Sequence, residues 1–164
     1  MKTLLIVRHA KSSWDDHSIT DFDRPLNDRG QKDAPEMADR LVKRKVAIDA
    51  FVSSPAKRAK KTAIIFAKAY GQQKEDIIFK DSLYHATEND FFNVISELPE
   101  NMDNIAVFSH NPGLTDFVNM LTDTRVDNVP TSGIFAVSFD GPWQSFKQAT
   151  KEFLFFDYPK NAAD

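Results

Sequence analysis

The sequence has no cysteine and no long hydrophobic run. Without cysteine it cannot form the disulfide framework typical of small extracellular domains. None of its apolar stretches approaches the roughly 20 residues that a membrane-spanning helix needs. Met1-Lys2 leads directly into an apolar stretch, without the pattern of a signal peptide. We therefore expect a soluble protein in the cytoplasm, without a membrane partner.

Several motifs of catalysis and cofactor binding are missing as well. The sequence has no Gly-x-x-x-x-Gly-Lys-Ser/Thr loop for nucleotide phosphates and no His-Glu-x-x-His helix for zinc. Its four histidines are spread along the chain and form no tight His/carboxylate cluster of the kind that binds zinc. Ser53, Ser54 and Ser109 lack the Gly-x-Ser-x-Gly setting of a serine hydrolase. We expect neither a metal ion nor an organic cofactor.

The charge is unevenly distributed along the chain. The net charge of −3 argues against general nucleic-acid binding, which needs accumulated positive charge. Residues 50–74 nevertheless contain six lysines or arginines and no Asp or Glu. A basic segment in a mildly acidic protein indicates one small anionic group as the ligand.

At 164 residues the chain is most simply one domain. Short apolar runs alternate with helical patterns, which predicts an α/β fold: a single three-layer domain with a mainly parallel central sheet and helices on both faces. Residues 134–139 and 153–158 read as two further strands, an antiparallel edge pair. We place the domain at residues 1–158, followed by a polar, frayed tail at 159–164.

Three predicted strands end in basic or hydrogen-bonding residues. Leu4-Leu5-Ile6-Val7 runs into Arg8-His9, residues 50–54 precede Arg58, and residues 105–109 precede His110. In open α/β sheets, ligands bind beyond the carboxyl ends of the strands. If the strands are neighbours, these four side chains converge without a carboxylate beside them, which is the outline of a phosphate site.

The segments between these strands have their own patterns. Residues 11–28 read as a long loop, and Asn27 or Asp28 could cap a helix over residues 29–44. Pro35 makes the start of that helix uncertain, since proline is tolerated only in the first turn. Ser53-Ser54-Pro55 reads as a serine cap with proline at the first helical position, which places Arg58 in the first turn. Residues 76–84 should contain a third strand, with Thr87 or Asn89 capping the next helix.

Histidine can itself be the nucleophile in phosphoryl transfer. Neutral imidazole attacks phosphorus, and neighbouring guanidinium groups both orient the phosphoryl oxygens and disfavour protonation of the ring. The remaining requirement is neutralisation of charge on the equatorial oxygens. Arg8, Arg58 and His110 could meet it, while His17 and His85 are expected to be ordinary loop residues.

Three blocks of sequence together resemble the histidine phosphatase superfamily, which includes the phosphoglycerate mutases. They are listed here in chain order: Arg8-His9-Ala10-Lys11-Ser12, Ser53-Ser54-Pro55-Ala56-Lys57-Arg58, and Ser109-His110-Asn111-Pro112-Gly113. The chain has Arg-His-Ala where the mutases have Arg-His-Gly. In this respect it most resembles the short bacterial phosphohistidine phosphatases of the SixA type. The resemblance implies that His9 is phosphorylated, that Arg8 and Arg58 hold the phosphoryl oxygens, and that His110 donates to them.

The chain departs from the larger family members where they carry a carboxylic acid that protonates the leaving oxygen. Here that segment reads Leu83-Tyr84-His85-Ala86-Thr87-Glu88. The identity of the proton donor is therefore undecided; Glu88, Asp90 and water are the candidates. Imidazole leaves a phosphoramidate more easily than an alkoxide leaves an ester. The lack of the family's acidic motif therefore favours phosphohistidine over a sugar phosphate as the substrate.

The short intervals between strands leave little room for a cap domain, so a side chain of another protein could reach the site. The loop with Asp21, Asp23 and Arg24 is a candidate for the rim that meets this partner. Two alternatives remain: a phosphatase of small phosphate esters, and a phosphate-recognising module without turnover. The sequence does not predict the oligomeric state.

Overall fold

A computed structural model of the chain describes residues 1–161. The strands and α-helices within this range are, in chain order, β1 (Lys2–Arg8), α1 (Asp28–Lys43), β2 (Ala50–Ser53), α2 (Lys57–Ala69), β3 (Ile78–Phe79), α3 (Glu88–Ser96), β4 (Asn104–Ser109), α4 (Gly113–Val118), β5 (Ile134–Phe139) and β6 (Glu152–Asp157). None of the helices over residues 1–161 combines the length and apolar character needed to cross a bilayer.

The strands form one mixed sheet in the order β3-β2-β4-β1-β5-β6. The first four strands in this order are parallel, whereas β5 is antiparallel to both β1 and β6. Strand β1 lies between β4 and β5, which explains why its apolar residues 4–7 are fully buried. The predicted α/β class, parallel centre and antiparallel edge pair are confirmed.

Helices cover both faces of the sheet and produce two hydrophobic clusters. Leu4 and Ile6 face the aromatic side, where Phe91 of α3 stacks on Phe117 of α4. Leu5 and Val7 of β1 face the other side, where α1 and α2 pack against the sheet with Met37 and several alanines. The alternation of side chains along a strand thus divides one apolar run between two cores.

The third strand and the helix after the long loop are present as predicted, with differences in detail. The segment 76–84 contains a strand, which covers only residues 78–79 because a short 3-10 turn begins at Asp81. Helix α1 is capped by Asn27, whose side chain accepts a hydrogen bond from the Gly30 amide. The helix continues through Pro35, so this proline lies beyond the first turn that the sequence allowed it.

The predicted serine cap of α2 is wrong. The helix begins at Lys57, and its N-cap is Ala56, which supplies no side-chain hydrogen bond. Ser54 Oγ instead accepts from the Ala56 amide and contacts His110, so it serves a turn that precedes the helix. Arg58 still lies in the first turn, as predicted, while the other predicted cap, Thr87 of α3, is present.

The part of the predicted frayed tail that the structure describes is held in place. Asn161 donates from its backbone to Tyr158 and from its side chain to Asp157. Asp157 is 2% exposed and also accepts from Arg40 of α1 and from Arg44, the C-cap residue of α1, which attaches β6 to that helix. Residues 162–164 lie outside the described residues.

Candidate active site

The carboxyl ends of β1 and β4 bring two histidines together. Arg8 pairs with Ser109 across the two strands, so His9 and His110 are the next residues on each chain segment. Their ring centroids are 5.1 Å apart. Both rings line a cavity of about 420 Å³, which Arg8 and Arg58 also line. The structure therefore brings together the four residues that the sequence singled out.

His9 is held in one tautomer. Its Nδ1 atom lies 2.7 Å from the carbonyl oxygen of Ala10, and a carbonyl can only accept, so Nδ1 carries the proton. Nε2 then carries the lone pair, and Arg58 Nε approaches it at 3.4 Å. The Ala10 amide is in turn fixed by the hydroxyl of Thr62 on α2. The ring presents its nucleophilic nitrogen toward the arginine.

The surroundings keep this imidazole neutral. Burial lowers the pKa of His9 to about 3; the hydrogen bond to Ala10 opposes this shift in part, and the charges of Arg58 and Arg8 reinforce it. Only the neutral ring has a lone pair to attack phosphorus. His9 is thus unprotonated across the physiological pH range.

Arg8 is half-buried beside His9 and only partly satisfied. Its Nη1 donates to the carbonyl oxygen of Val129, while its buried Nε has no hydrogen-bond partner in residues 1–161. Burial, followed by the charge of Arg58, lowers the pKa of Arg8. A guanidinium with spare donors suits a ligand rich in acceptor oxygens.

His110 has one ring nitrogen engaged and one free. Nε2 lies 2.7 Å from Ser54 Oγ, and the buried Nδ1 has no hydrogen-bond partner among the residues described. Burial, followed by the electrostatic influence of His9 and Arg58, lowers the pKa of His110 to about 2. If Ser54 donates to Nε2, then Nδ1 carries a proton that is available to a ligand oxygen.

A carboxylate lies beside the cationic groups, contrary to the sequence prediction. Asp21 accepts from Arg58 Nη2 at 3.1 Å through its side chain and from Nη1 at 2.6 Å through its carbonyl oxygen. The hydroxyl of Tyr84 donates to the same carboxylate at 2.6 Å. The prediction failed because these contacts join segments 37 and 63 residues apart, which local sequence cannot relate.

Asp21 is ionised in this setting. Burial alone would raise the pKa of its carboxyl, but the hydrogen bonds from Tyr84 and Arg58 and the charges of Arg58 and Arg24 lower it to about 2. A carboxyl that remains deprotonated is a poor general acid at neutral pH. Its geometry fits a different task, which is to hold the Arg58 guanidinium in place.

The loop before α1 contributes more than the predicted rim. Arg24 is 7% exposed; it donates to Ser12 and Asp21, and its guanidinium carbon lies 3.4 Å from the centroid of the Trp14 ring. Arg24 and Trp14 line the same cavity as His9. Sequence reasoning placed Arg24 at a rim and gave Trp14 no role. A basic residue within a long polar loop after the Arg-His pair was the only available signal.

The other candidate residues have different outcomes. Asp90 is engaged in the capping box of α3 with Thr87, and neither it nor Glu88 lines the cavity. His17 is exposed on a turn away from the cavity. His85, which the sequence predicted to be a loop residue, is on a loop, but it also lines the cavity, and its ring centroid lies 4.0 Å from that of Tyr84 with the two planes tilted by 36°.

Comparison with known proteins gives a consistent family. An uncharacterized chloroplastic protein of Arabidopsis thaliana is 28% identical over 151 residues, covering 87% of this chain and 69% of that protein. The putative phosphohistidine phosphatase SixA from Agrobacterium tumefaciens superposes with a TM-score of 0.81 at 24% identity, covering 96% and 98% of the two chains. The protein histidine phosphatase SixA complexed with tungstate also gives 0.81, at 23% identity over 96% and 97%.

The family model of the histidine phosphatase superfamily, branch 1, matches residues 4–113. This range is more than half of the chain, and it spans all four residues of the convergent cluster. Since the order of the motifs, the fold and the family model agree, the chain belongs to branch 1 of the histidine phosphatase superfamily.

Proposed function

We propose that this protein is a phosphatase that removes phosphate from phosphohistidine on a partner protein, through a covalent phosphohistidine intermediate on its own His9. The observation that carries the proposal is the neutral His9 ring, whose Nε2 is unprotonated beside the guanidinium of Arg58. The likeness to proteins named phosphohistidine phosphatase SixA, one of them complexed with tungstate, supports the same substrate class.

In the first step, the lone pair of His9 Nε2 forms a bond to phosphorus while the phosphorus–nitrogen bond of the substrate breaks. The substrate ring leaves as neutral imidazole when its other nitrogen carries a proton. Arg8 and Arg58 neutralise charge on the phosphoryl oxygens, and His110 Nδ1 donates to one of them. The phosphorylated His9 ring becomes cationic, and the Ala10 carbonyl stabilises its Nδ1 proton.

In the second step, a water oxygen attacks phosphorus and the bond to His9 Nε2 breaks. The electron pair returns to Nε2, which restores the neutral ring, and the water's protons leave with inorganic phosphate and solvent. No metal ion is needed in either step, because protein cations surround the phosphoryl group.

The acid chemistry of the site supports a phosphoramidate substrate. An alkoxide leaving from a phosphate ester needs a proton, and Asp21, the carboxylate on the cavity wall, has a pKa of about 2. Imidazole leaves without that help. We therefore expect hydrolysis of phosphohistidine to exceed hydrolysis of sugar phosphates by at least about tenfold in kcat/KM, which corresponds to about 1.4 kcal/mol in the barrier.

The test combines trapping with substitution. Denaturing quench during turnover of a ³²P-phosphohistidine protein should yield acid-labile, alkali-stable label on the wild-type chain and none on His9→Ala. His17→Ala is the matched control, since His17 is exposed and outside the cavity. Turnover by His9→Ala near the wild-type rate would overturn the nucleophile. Equal or higher rates on a sugar-phosphate panel would favour an esterase, and binding without any turnover would favour a recognition module.

A further inference from the structure

A second cavity, of about 480 Å³, lies beside the active site. Its lining includes apolar side chains of Phe22, Pro25 and Ile64, which we call the floor, and three lysines of α2, Lys57, Lys60 and Lys61, which we call the rim. We call this cavity the lysine groove. Apolar side chains beside three lysines, with Asp23 as the one acidic side chain in the lining, suit a surface that recognises an acidic amphipathic segment.

The lysines of the rim have no carboxylate partner in the part of the chain that the structure describes. Within residues 1–161, neither Lys57 nor Lys61 has a carboxylate oxygen within 4 Å, and the same holds for Lys60, whose Nζ lies 5.6 Å from the centroid of the Phe79 ring. The acidic residue of the groove, Asp23, accepts from the Thr20 hydroxyl. Three cations in a protein of net charge −3 thus leave a local positive field for a ligand.

The groove and the active site share their walls. Lys57 and Arg58 are consecutive at the start of α2, and Phe22 follows Asp21, which binds Arg58. Arg58 lines the His9 cavity while Lys57 lines the groove. Because consecutive residues at the start of α2 line the two cavities, a segment bound in the groove would lie beside the active site. A neighbouring part of the same protein could then enter the active site.

We propose that the lysine groove docks an acidic amphipathic helix of the phosphorylated protein that the active site dephosphorylates. Apolar residues at helical spacing pack on Phe22, Pro25 and Ile64, and flanking glutamates or aspartates pair with the three lysines. A folded helix is favoured over an extended polyanion because the floor is apolar. The identity of the partner as substrate rests on the proposed function; the docking itself does not.

Binding is measured first with an unphosphorylated peptide, so that the result is independent of turnover. The probe is a fluorescent 18-residue helical peptide with leucines on one face and glutamates flanking them. Fluorescence anisotropy should show that Lys57→Gln/Lys60→Gln/Lys61→Gln binds it about tenfold more weakly than wild type, as expected for the loss of three exposed ion pairs. Lys57 and Lys60 lie in the first turn of α2, where positive charge opposes the helix dipole, and Lys61 in the next turn is exposed, so these substitutions should leave α2 folded.

The matched control is Lys32→Gln/Lys68→Gln/Lys74→Gln, which removes the same charge from exposed lysines outside both cavities. It should bind like wild type, and inorganic phosphate should not displace the peptide. Equal loss of affinity in both triple variants, or equal binding of a scrambled peptide of the same composition, would overturn the proposal. So would displacement of the peptide by phosphate, or preferential binding of a second copy of this chain.

Turnover then separates the two proposals. With the same peptide carrying one phosphohistidine, the groove variant should lose about tenfold in kcat/KM, while its rate on free phosphohistidine stays within about twofold of wild type. If wild type and the groove variant hydrolyse the peptide at equal rates, the docking proposal is wrong, whereas the proposed phosphatase function is unaffected. Specific peptide binding without hydrolysis of any phosphohistidine probe would support docking and overturn the proposed function.

Discussion

The Nη2 atom of Arg58 lies 3.1 Å from Oδ2 of Asp21, and Arg58 Nη1 lies 2.6 Å from the carbonyl oxygen of the same residue. Asp21 therefore binds the guanidinium through both its side chain and its backbone. The Tyr84 hydroxyl donates to the same carboxylate oxygen at 2.6 Å. Arg58 is fixed before any phosphate arrives, which reduces the reorganisation that phosphoryl transfer requires.

Replacing Asp21 should separate binding from turnover. Asp21→Asn removes the charged acceptor of Arg58, so we expect kcat to fall about tenfold, in line with the loss of a charge-assisted hydrogen bond. It also removes a negative charge beside the cavity, so inorganic phosphate should bind more tightly. Steady-state kinetics and competitive inhibition by phosphate measure both effects. Asp23→Asn is the control: Asp23 is exposed, so its replacement should change neither kcat nor phosphate binding. An Asp21→Asn enzyme with normal kcat would contradict the role given to Asp21.

The buried histidines make the stability depend on pH. In the folded state the pKa values of His9 and His110 are about 3 and about 2, below the ordinary value near 6.5. The unfolded chain therefore binds protons first, and stability falls as the pH drops below 6.5. Lowering the pH to 5 should cost about 2 kcal/mol for each ring.

Urea unfolding at pH 7 and pH 5 checks this expectation. His110→Gln removes one of the two rings, so its free energy of unfolding should fall by about 2 kcal/mol less than that of wild type over the same interval. An identical pH dependence in both proteins would show that His110 is not held neutral by burial.

Ser54 should matter to catalysis through His110. Its hydroxyl lies 2.7 Å from His110 Nε2, so Ser54→Ala leaves that ring nitrogen without its partner. We expect kcat to fall about tenfold, since a misplaced ring donates poorly to a phosphoryl oxygen. Ser53→Ala is the matched control, because Ser53 is equally buried but donates only to the Ser54 carbonyl. Equal kinetic losses in the two variants would point to general damage at this turn.

Gly113 permits a close approach between two segments at the site. A Cβ atom on Gly113 would lie 2.0 Å from the carbonyl oxygen of Ala86, so one backbone must move. Gly113→Ala should lower the free energy of unfolding by about 1–3 kcal/mol despite the better helix propensity of alanine. Activity should fall with it, because His85, next to Ala86, lines the cavity.

Gly71→Ala provides the comparison for that prediction. Its Cβ would meet nothing within 4 Å, although φ is +76°, so it should cost stability without changing kcat. A Gly113→Ala enzyme with full activity would show that the His85 loop can shift without affecting the site.

The parallel centre of the fold and the meeting of Arg8, His9, Arg58 and His110 were predictable from sequence. Each lies at or just after a short apolar run, and the carboxyl ends of parallel neighbours share one edge of the sheet. This rule needs no knowledge of the loops. It therefore located the cluster although the serine cap of α2 was predicted incorrectly.

The loop contacts were not predictable in the same way. Residues 11–27 have no hydrophobic periodicity, and their path is set by distant partners such as Arg58 and Tyr84. The sequence marked Asp21 and Arg24 as charged residues of a functional loop. It could not show that one would hold an arginine and the other would be buried against Ser12.

The alignment of Arg8 opposite Ser109 has a mechanical consequence. Backbone hydrogen bonds space neighbouring strands about 4.8 Å apart, and the 5.1 Å between the two imidazole centroids is close to that spacing. The distance between the His9 and His110 rings therefore follows from the spacing of the two strands and does not depend on a loop. We expect this distance between the two rings to change less than any other distance in the site when the surrounding loops move.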